Sequence, residues 1–169
     1  MIESTDRARF LSLIEENKGI IYKVANAYCR DADDRKDVVQ EIILQLWRAL
    51  PSYDSQFKLS TWMYRIALNV AISFYRRDKK KKERETAINS AILELGEVND
   101  ETERESNIHL LQQCIHELKE LDRALMLLYL DDKSYKEMAD IMAITETNVA
   151  TKISRTKEKL KQRITTLTQ

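Results

Sequence analysis

Residues 57–82 read FKLSTWMYRIALNVAISFYRRDKKKK, which sets aromatic rings, an amide and a dense run of cations on one short stretch. These are the groups that hold opened nucleic acid. Bases out of a duplex stack on rings, at about 1–3 kcal/mol per base, while cationic side chains follow the phosphates. Within this stretch Trp62, Ile66, Val70 and Phe74 fall four residues apart, as a buried stripe would, with Met63, Ala67 and Ala71 alongside. Tyr64, Arg65, Asn69, Ser73, Arg76 and Arg77 are then expected to project elsewhere and to carry the chemistry. A second set of candidates, Thr147, Asn148, Thr151, Lys152 and Arg155, lies on the outward side of a predicted helix near the C-terminus. Asparagine there suits adenine, and arginine or lysine suits guanine, in a major groove. Lys157, Lys159, Lys161 and Arg163 follow as candidates for phosphate contact or as simple solubilising charges.

The elements that position these groups are helical. Two glycines and one proline, Pro51, in 169 residues leave almost nothing with which to turn β-hairpins, so the expected fold is all-α. Apolar residues from Phe10 to Tyr28 follow a helical period, interrupted near Gly19, and predict one helix or two. Asp31, Asp33 and Asp34 offer N-caps for the next helix, whose apolar side is Val38, Val39, Ile42, Ile43, Leu46, Trp47 and Leu50, and which Pro51 stops. Its opposite side, with Asp37, Gln40, Glu41, Gln45 and Arg48, is either a solvated polar face or a docking face. Ser60 or Thr61 can cap the helix that carries Arg65.

From about residue 83 to 106 the apolar pattern fades and acidic residues gather. Two small domains joined by a flexible acidic linker are therefore expected: residues 1–82, a linker at 83–106, and residues 107–169. Fully extended, the linker would span at most about 80 Å. In the second domain Leu110, Leu111, Cys114, Ile115, Leu118 and Leu121 suggest one helix face, and Leu125, Met126, Leu128 and Tyr129 another. Ser134 and Glu137 read as a capping box for a short helix ending near Met142. A turn at Ala143-Ile144 and a cap at Thr145 lead into the last helix, with Val149, Ile153 and Leu160 inward. Small Ala139 lets the two helices cross closely, as in a helix-turn-helix.

Composition excludes several functions. Formal net charge is zero, yet the charges are segregated: basic runs at 76–84 and 152–163 flank acidic residues at 94–105. Cys29 and Cys114 are too few for a disulfide scaffold, and no apolar run approaches a signal sequence or membrane span, so a reducing cytoplasm is expected. His109 and His116 lack the further ligands of a tetrahedral set, and no metal or other cofactor is expected. Nothing resembles a catalytic triad, a phosphate-binding glycine loop or a carboxylate pair, which argues against an enzyme and a small-molecule substrate.

Three ordered blocks carry a resemblance. DRKDVVQEIILQLWRAL, FKLSTWMYRIALNVAISFYRR and LKELDRALMLLYLDDKSYKEMADIMAITETNVATKISRTKEKLKQ together resemble the bacterial sigma factors of the extracytoplasmic-function group. The resemblance implies a non-catalytic subunit of RNA polymerase that directs initiation at specific promoters. It gives Asp37, Gln40, Glu41 and Gln45 a role in docking core polymerase. It assigns the minus-ten non-template strand to the loop with Phe57, Lys58 and Thr61 and to Arg65 and Asn69, with Arg76 and Arg77 on phosphates. It assigns the minus-thirty-five duplex to the last helix, and it implies an anti-sigma factor as partner. The competing reading is a helix-turn-helix regulator that binds promoter DNA without polymerase; it accounts for residues 134–163 but leaves 57–82 as core plus a charged tail. A helical interaction module with no nucleic-acid role would leave both basic runs as solvated faces.

Overall fold

The computed structural model describes residues 4–89 and 103–169. Among them the chain is helical throughout: α1 (Ser4–Tyr28), α2 (Ala32–Ala49), a 3-10 turn (Leu50–Ser52), α3 (Leu59–Asn89), α4 (Glu103–His116), α5 (Glu120–Leu130), α6 (Tyr135–Met142) and α7 (Glu146–Thr168). Of the linker expected at 83–106, residues 90–102 lie outside the described residues; on its two sides α3 runs on to Asn89 and α4 begins at Glu103.

Local chemistry explains most boundaries. α1 passes through Gly19 without a break, because Phe10, Ile21, Val24, Ala25 and Tyr28 bury one continuous face across it. The Asp31 carboxylate accepts the Asp33 N–H and caps α2, and Asp33 and Asp34 suit the positive end of its dipole. α2 buries Val38, Val39, Ile42 and Leu46, then tightens into the 3-10 turn at Pro51.

α3 departs from expectation in two ways. It begins at Leu59, so Ser60 and Thr61 lie inside its first turn rather than capping it. Its buried face is Met63, Tyr64, Ala67, Leu68, Ala71 and Ile72, whereas Trp62, Ile66, Val70 and Phe74 are half-buried along its margin. At 3.6 residues per turn the pairs 63/64, 67/68 and 71/72 share a face, and that face is pressed by α1 on one side and by α5 and α6 on the other. Tyr64 is thereby fully buried instead of projecting outward, and its hydroxyl donates to Asp131 Oδ2 at 2.5 Å.

In the second half the helix-turn-helix is formed as its sequence predicts. Ser134 Oγ accepts the Glu137 N–H at 3.1 Å to start α6. α6 ends at Ala143 in the left-handed region (φ 55°, ψ 44°), and Ile144 N–H returns to Ala139 O at 3.1 Å. Thr145 Oγ1 accepts the Asn148 N–H at 3.1 Å and starts α7, which buries Val149, Ile153, Thr156 and Leu160. Leu121, expected on the face of the preceding helix, belongs to the first turn of α5 and is exposed.

The two halves pack against each other. α6 packs on α3, and α5 packs on α1 and α3. One apolar core therefore runs from Phe10 and Val24 through Met63 and Ala67 to Leu125, Met138 and Ile153. A smaller cluster of Cys114, Met126 and Leu160 ties α4, α5 and α7 together. Where α1, α3, α4 and α5 meet lies Arg123, only 1% exposed. Its guanidinium sits between the Tyr28 and Tyr75 rings, at 5.1 and 4.7 Å from their centroids, and donates to the carbonyls of Ala27, His116 and Leu118. The Ala27 and His116 carbonyls belong to the last turns of α1 and α4, where helix dipoles favour a cation, and Leu118 lies in the connection to α5.

Candidate nucleic-acid interface

The loop before α3 is built by short-range hydrogen bonds. Gln56 N–H donates to Asp54 Oδ1 at 3.0 Å, Tyr53 Oη donates to Phe57 O at 2.9 Å, and the Tyr53 ring leans on Trp62 with centroids 5.0 Å apart. This arrangement leaves Phe57 at the surface, 37% exposed, with the Arg65 guanidinium 4.9 Å from the centroid of its ring. An aromatic face and a cation are thus presented together, the combination that a stacked base beside a phosphate requires.

From Arg65 the helix carries Asn69, Ser73 and Arg77 at four-residue intervals, a single slowly turning row about 18 Å long. Asn69, Ser73 and Arg77 are exposed. The row faces α2: Asn69, Ser73 and Arg77 line a shallow groove of about 350 Å³ together with Glu41 and Gln45. Gln45 Nε2 donates to Glu41 Oε1 at 2.7 Å, and Asp37 and Gln40 are exposed on the same helix. The residues expected to dock a protein and those expected to hold a strand are therefore adjacent across one groove.

The other sequence candidates are placed as follows. Thr61 is buried, 4% exposed, because an α3 that starts at Leu59 turns it onto the side of Tyr64 and Leu68. Lys58 is exposed and ion-paired with Glu137 of α6 at 2.9 Å. Arg65 Nε donates to Asp140 O, near the end of the same helix, at 2.8 Å. Arg76 pairs with Glu120 of α5 at 3.0 Å. On α7, Thr147, Asn148, Thr151 and Arg155 are exposed on the first turns and Lys152 is half-buried. Farther along, Lys157 lies over the Tyr129 ring and Arg163 pairs with Glu117 at 2.7 Å, so both are engaged within the second half.

Electrostatics follows these contacts. The Lys58 hydrogen bond holds the Glu137 carboxyl below the usual range. Glu120 is lowered by its own backbone N–H and by Arg76. Burial opposes ionisation of Asp131, but hydrogen bonds from Lys23 and Tyr64 outweigh it and leave that carboxyl lowered too. Tyr64 is pushed up by burial and by the Asp131 hydrogen bond. Glu120, Asp131 and Glu137 are thus each lowered beside a cation of the first half, Arg76, Lys23 and Lys58 respectively.

Sequence reasoning missed Arg123, Glu120 and Asp131, and read Glu137 only as a helix cap. One signal was available: ELDRALMLLYL places a lone arginine within an apolar helical run, which calls for a buried partner.

Both halves of the chain match known families. Residues 13–81 match Sigma-70 region 2 and residues 108–160 match Sigma-70, region 4. The chain is 30% identical over 155 residues to the ECF RNA polymerase sigma-E factor of Escherichia coli (strain K12), covering 85% of this chain and 81% of that one. It is 25% identical over 173 residues to the ECF RNA polymerase sigma factor SigW of Bacillus subtilis (strain 168), covering 96% and 92%. Two solved structures share the fold. The sigma factor RpoE in complex with the anti-sigma factor NepR from Bartonella quintana matches with TM-score 0.70 and 16% identity, over 93% of this chain and 97% of that one. CnrH in complex with the cytosolic domain of CnrY matches with TM-score 0.67 and 18% identity, over 92% and 87%. Two regions matched in order, with full-length relatives on both sides of the linker, leave one conclusion: the chain belongs to the extracytoplasmic-function group of RNA polymerase sigma factors, which direct transcription initiation at specific promoters.

Proposed function

We propose that this sigma factor divides promoter recognition between its halves, with residues 1–82 docking core polymerase and opening the minus-ten element and residues 107–169 reading the minus-thirty-five element as duplex. The observation that carries the reading is the Phe57–Arg65 pair at the head of the Asn69, Ser73 and Arg77 row, next to the polar face of α2. Phe57 supplies a face for a base that has left the stack, which offsets part of the few kcal/mol that extrusion costs. Arg65 and Asn69 supply donors for its edge, and Arg77 follows the phosphates. Glu41, Gln45, Asp37 and Gln40 meet the polymerase on the other wall. The exposed first turns of α7 offer Asn148, Thr151, Lys152 and Arg155 to base edges in the major groove.

No step of this work is chemical catalysis; the protein acts by binding and deformation of DNA. Nor does any observation favour a helix-turn-helix regulator acting without polymerase. Among the described residues no helix is long and apolar enough to cross a membrane. The cytoplasm, where core polymerase works, is the compartment this reading implies. An anti-sigma factor is the expected regulator, by analogy with RpoE bound to NepR and CnrH bound to CnrY. Transcription reconstituted from core polymerase, this chain and a promoter library tests the reading: stimulation at a defined set of promoters, abolished by changes at Asn69, supports it. Failure to stimulate any promoter overturns it.

A further inference from the structure

A larger cleft, of about 1140 Å³, lies where the end of α1 and the start of α2 meet α4 and the end of α7. Cavities of roughly 300–1,000 Å³ hold small ligands, so its size admits one. None of the residues assigned to DNA or to polymerase lines it. Leu167 and Thr168 of α7 do, and Leu167 is about 24 Å along that helix from Thr151. We propose that this cleft binds a free nucleoside di- or triphosphate, with Arg30 and Arg35 taking the phosphates and Leu110, Ile115 and Leu127 forming the floor for the ring.

The charge of the cleft is not balanced from within. Glu117 is its one acidic lining residue among the described residues, and Arg163 holds both Glu117 oxygens at 2.7 and 3.2 Å. Lys23 is paired with Asp131. Arg30 and Arg35 have no carboxylate partner among the described residues, although acidic residues are their chain neighbours. Asp31 is committed to the α2 cap, and Asp34 lines a separate cavity with Asp78 and Lys82. Two guanidiniums on one cleft suit a ligand that carries more than one negative charge, and their planar forks match phosphate oxygens.

The rest of the lining calls for more than phosphate. Leu110, Ile115 and Leu127 are half-buried, so part of each stays open for a ring to cover. Asn26, Asn107 and Gln113 add amides, which donate and accept as a base edge or a ribose requires. His116 reports on the same place. Its imidazole is lowered by burial, then by Arg123 of α5 and by Arg30. Lys23 of α1, Arg35 of α2, and His109 and Glu117 of its own helix are the other titratable or charged groups around the cleft. An anion held by Arg30 would offset part of that cationic field and raise His116 again.

The test uses the full-length chain without polymerase or DNA, so its outcome is independent of promoter recognition. Binding of each of the four ribonucleoside triphosphates, of adenosine and of inorganic pyrophosphate is measured by calorimetry at fixed ionic strength. At least one triphosphate should bind at least tenfold tighter than pyrophosphate or adenosine. Arg30→Ala/Arg35→Ala should weaken it at least tenfold with helicity unchanged by circular dichroism, whereas the charge-matched control Arg7→Ala/Lys136→Ala should not. If the double variant unfolds, Arg30→Ala alone carries the measurement, since Arg30 is exposed. The His116 ring resonance, identified with His109→Gln, should titrate at higher pH with the triphosphate bound. No binding by any triphosphate, equal weakening by the control, or an unchanged His116 titration overturns the proposal. Pyrophosphate bound as tightly as the best triphosphate overturns the nucleoside assignment. Displacement of the triphosphate by a short duplex without promoter elements would make the cleft a surface for DNA backbone, and overturns a small-molecule site.

Discussion

Each assigned side chain makes a separable prediction at the residue scale. Arg155→Ala should weaken duplex binding at the upstream element by about 1–3 kcal/mol if its contact to guanine is bidentate, measured with polymerase holoenzyme on promoter fragments. Asn69→Ala should leave that binding intact and slow strand opening, read by permanganate reactivity of unpaired thymines. Both variants failing at the same step would contradict the division of labour. Arg123→Ala should destabilise the fold by about 3 kcal/mol in urea unfolding, because three buried carbonyls lose a charged donor and two tyrosine rings lose their filling. Exposure was legible in the sequence for Asn69 and for Thr147, Asn148, Thr151 and Arg155 on the first turns of α7. It was not legible for Thr61 or Tyr64, whose facing is set by where α3 starts and by what packs against it from a distant part of the chain.

Helix starts and stops were readable where a side chain makes the cap, as at Asp31, Ser134 and Thr145. They were misread where packing decides. Gly19 looked like an interruption, yet α1 continues because the apolar residues on both sides bury together. Nothing lies within 4 Å of where a Cβ would stand at Gly19, so Gly19→Ala should stabilise the chain by about 1 kcal/mol through helix propensity alone. Ala143 presents the opposite case. It holds a left-handed conformation that glycine adopts freely, and Ala143→Gly should also stabilise by about 1 kcal/mol. Thermal unfolding of the two single variants and their combination checks both, and the effects should add because the sites share no partner.

Across the whole molecule, the contacts between halves determine how stability responds to acid. Burial, then Arg123 and Arg30, lower His116 from its ordinary 6.5. The unfolded chain therefore takes up a proton before the folded one, and stability should fall as pH drops below about 6.5. The cross-half carboxylates act lower. Glu137 and Glu120 are lowered from 4.5, so the stability they contribute is present above that value and is lost as pH falls through their lowered values. Urea titrations should show two separate losses on acidification, and His116→Gln should remove only the upper one. This scale was the least legible in the sequence. Two helical units and a linker could be read from local pattern, but their shared core depends on long-range pairs such as Tyr28 with Glu120 and Tyr64 with Asp131, which have no periodic signature.

The two cysteines turn this architecture into a clock. Cys29 is buried at the end of α1, lines the junction with Tyr75, His116 and Arg123, and burial pushes its thiol up to about 11. Cys114 is buried instead in the small core of the second half, beside Met126 and Leu160. A thiol reagent should modify Cys29 whenever the halves part and Cys114 only when the second half loosens. The ratio of the two labelling rates, followed by mass spectrometry on the wild-type chain, should report how much more often the halves part than the second half loosens.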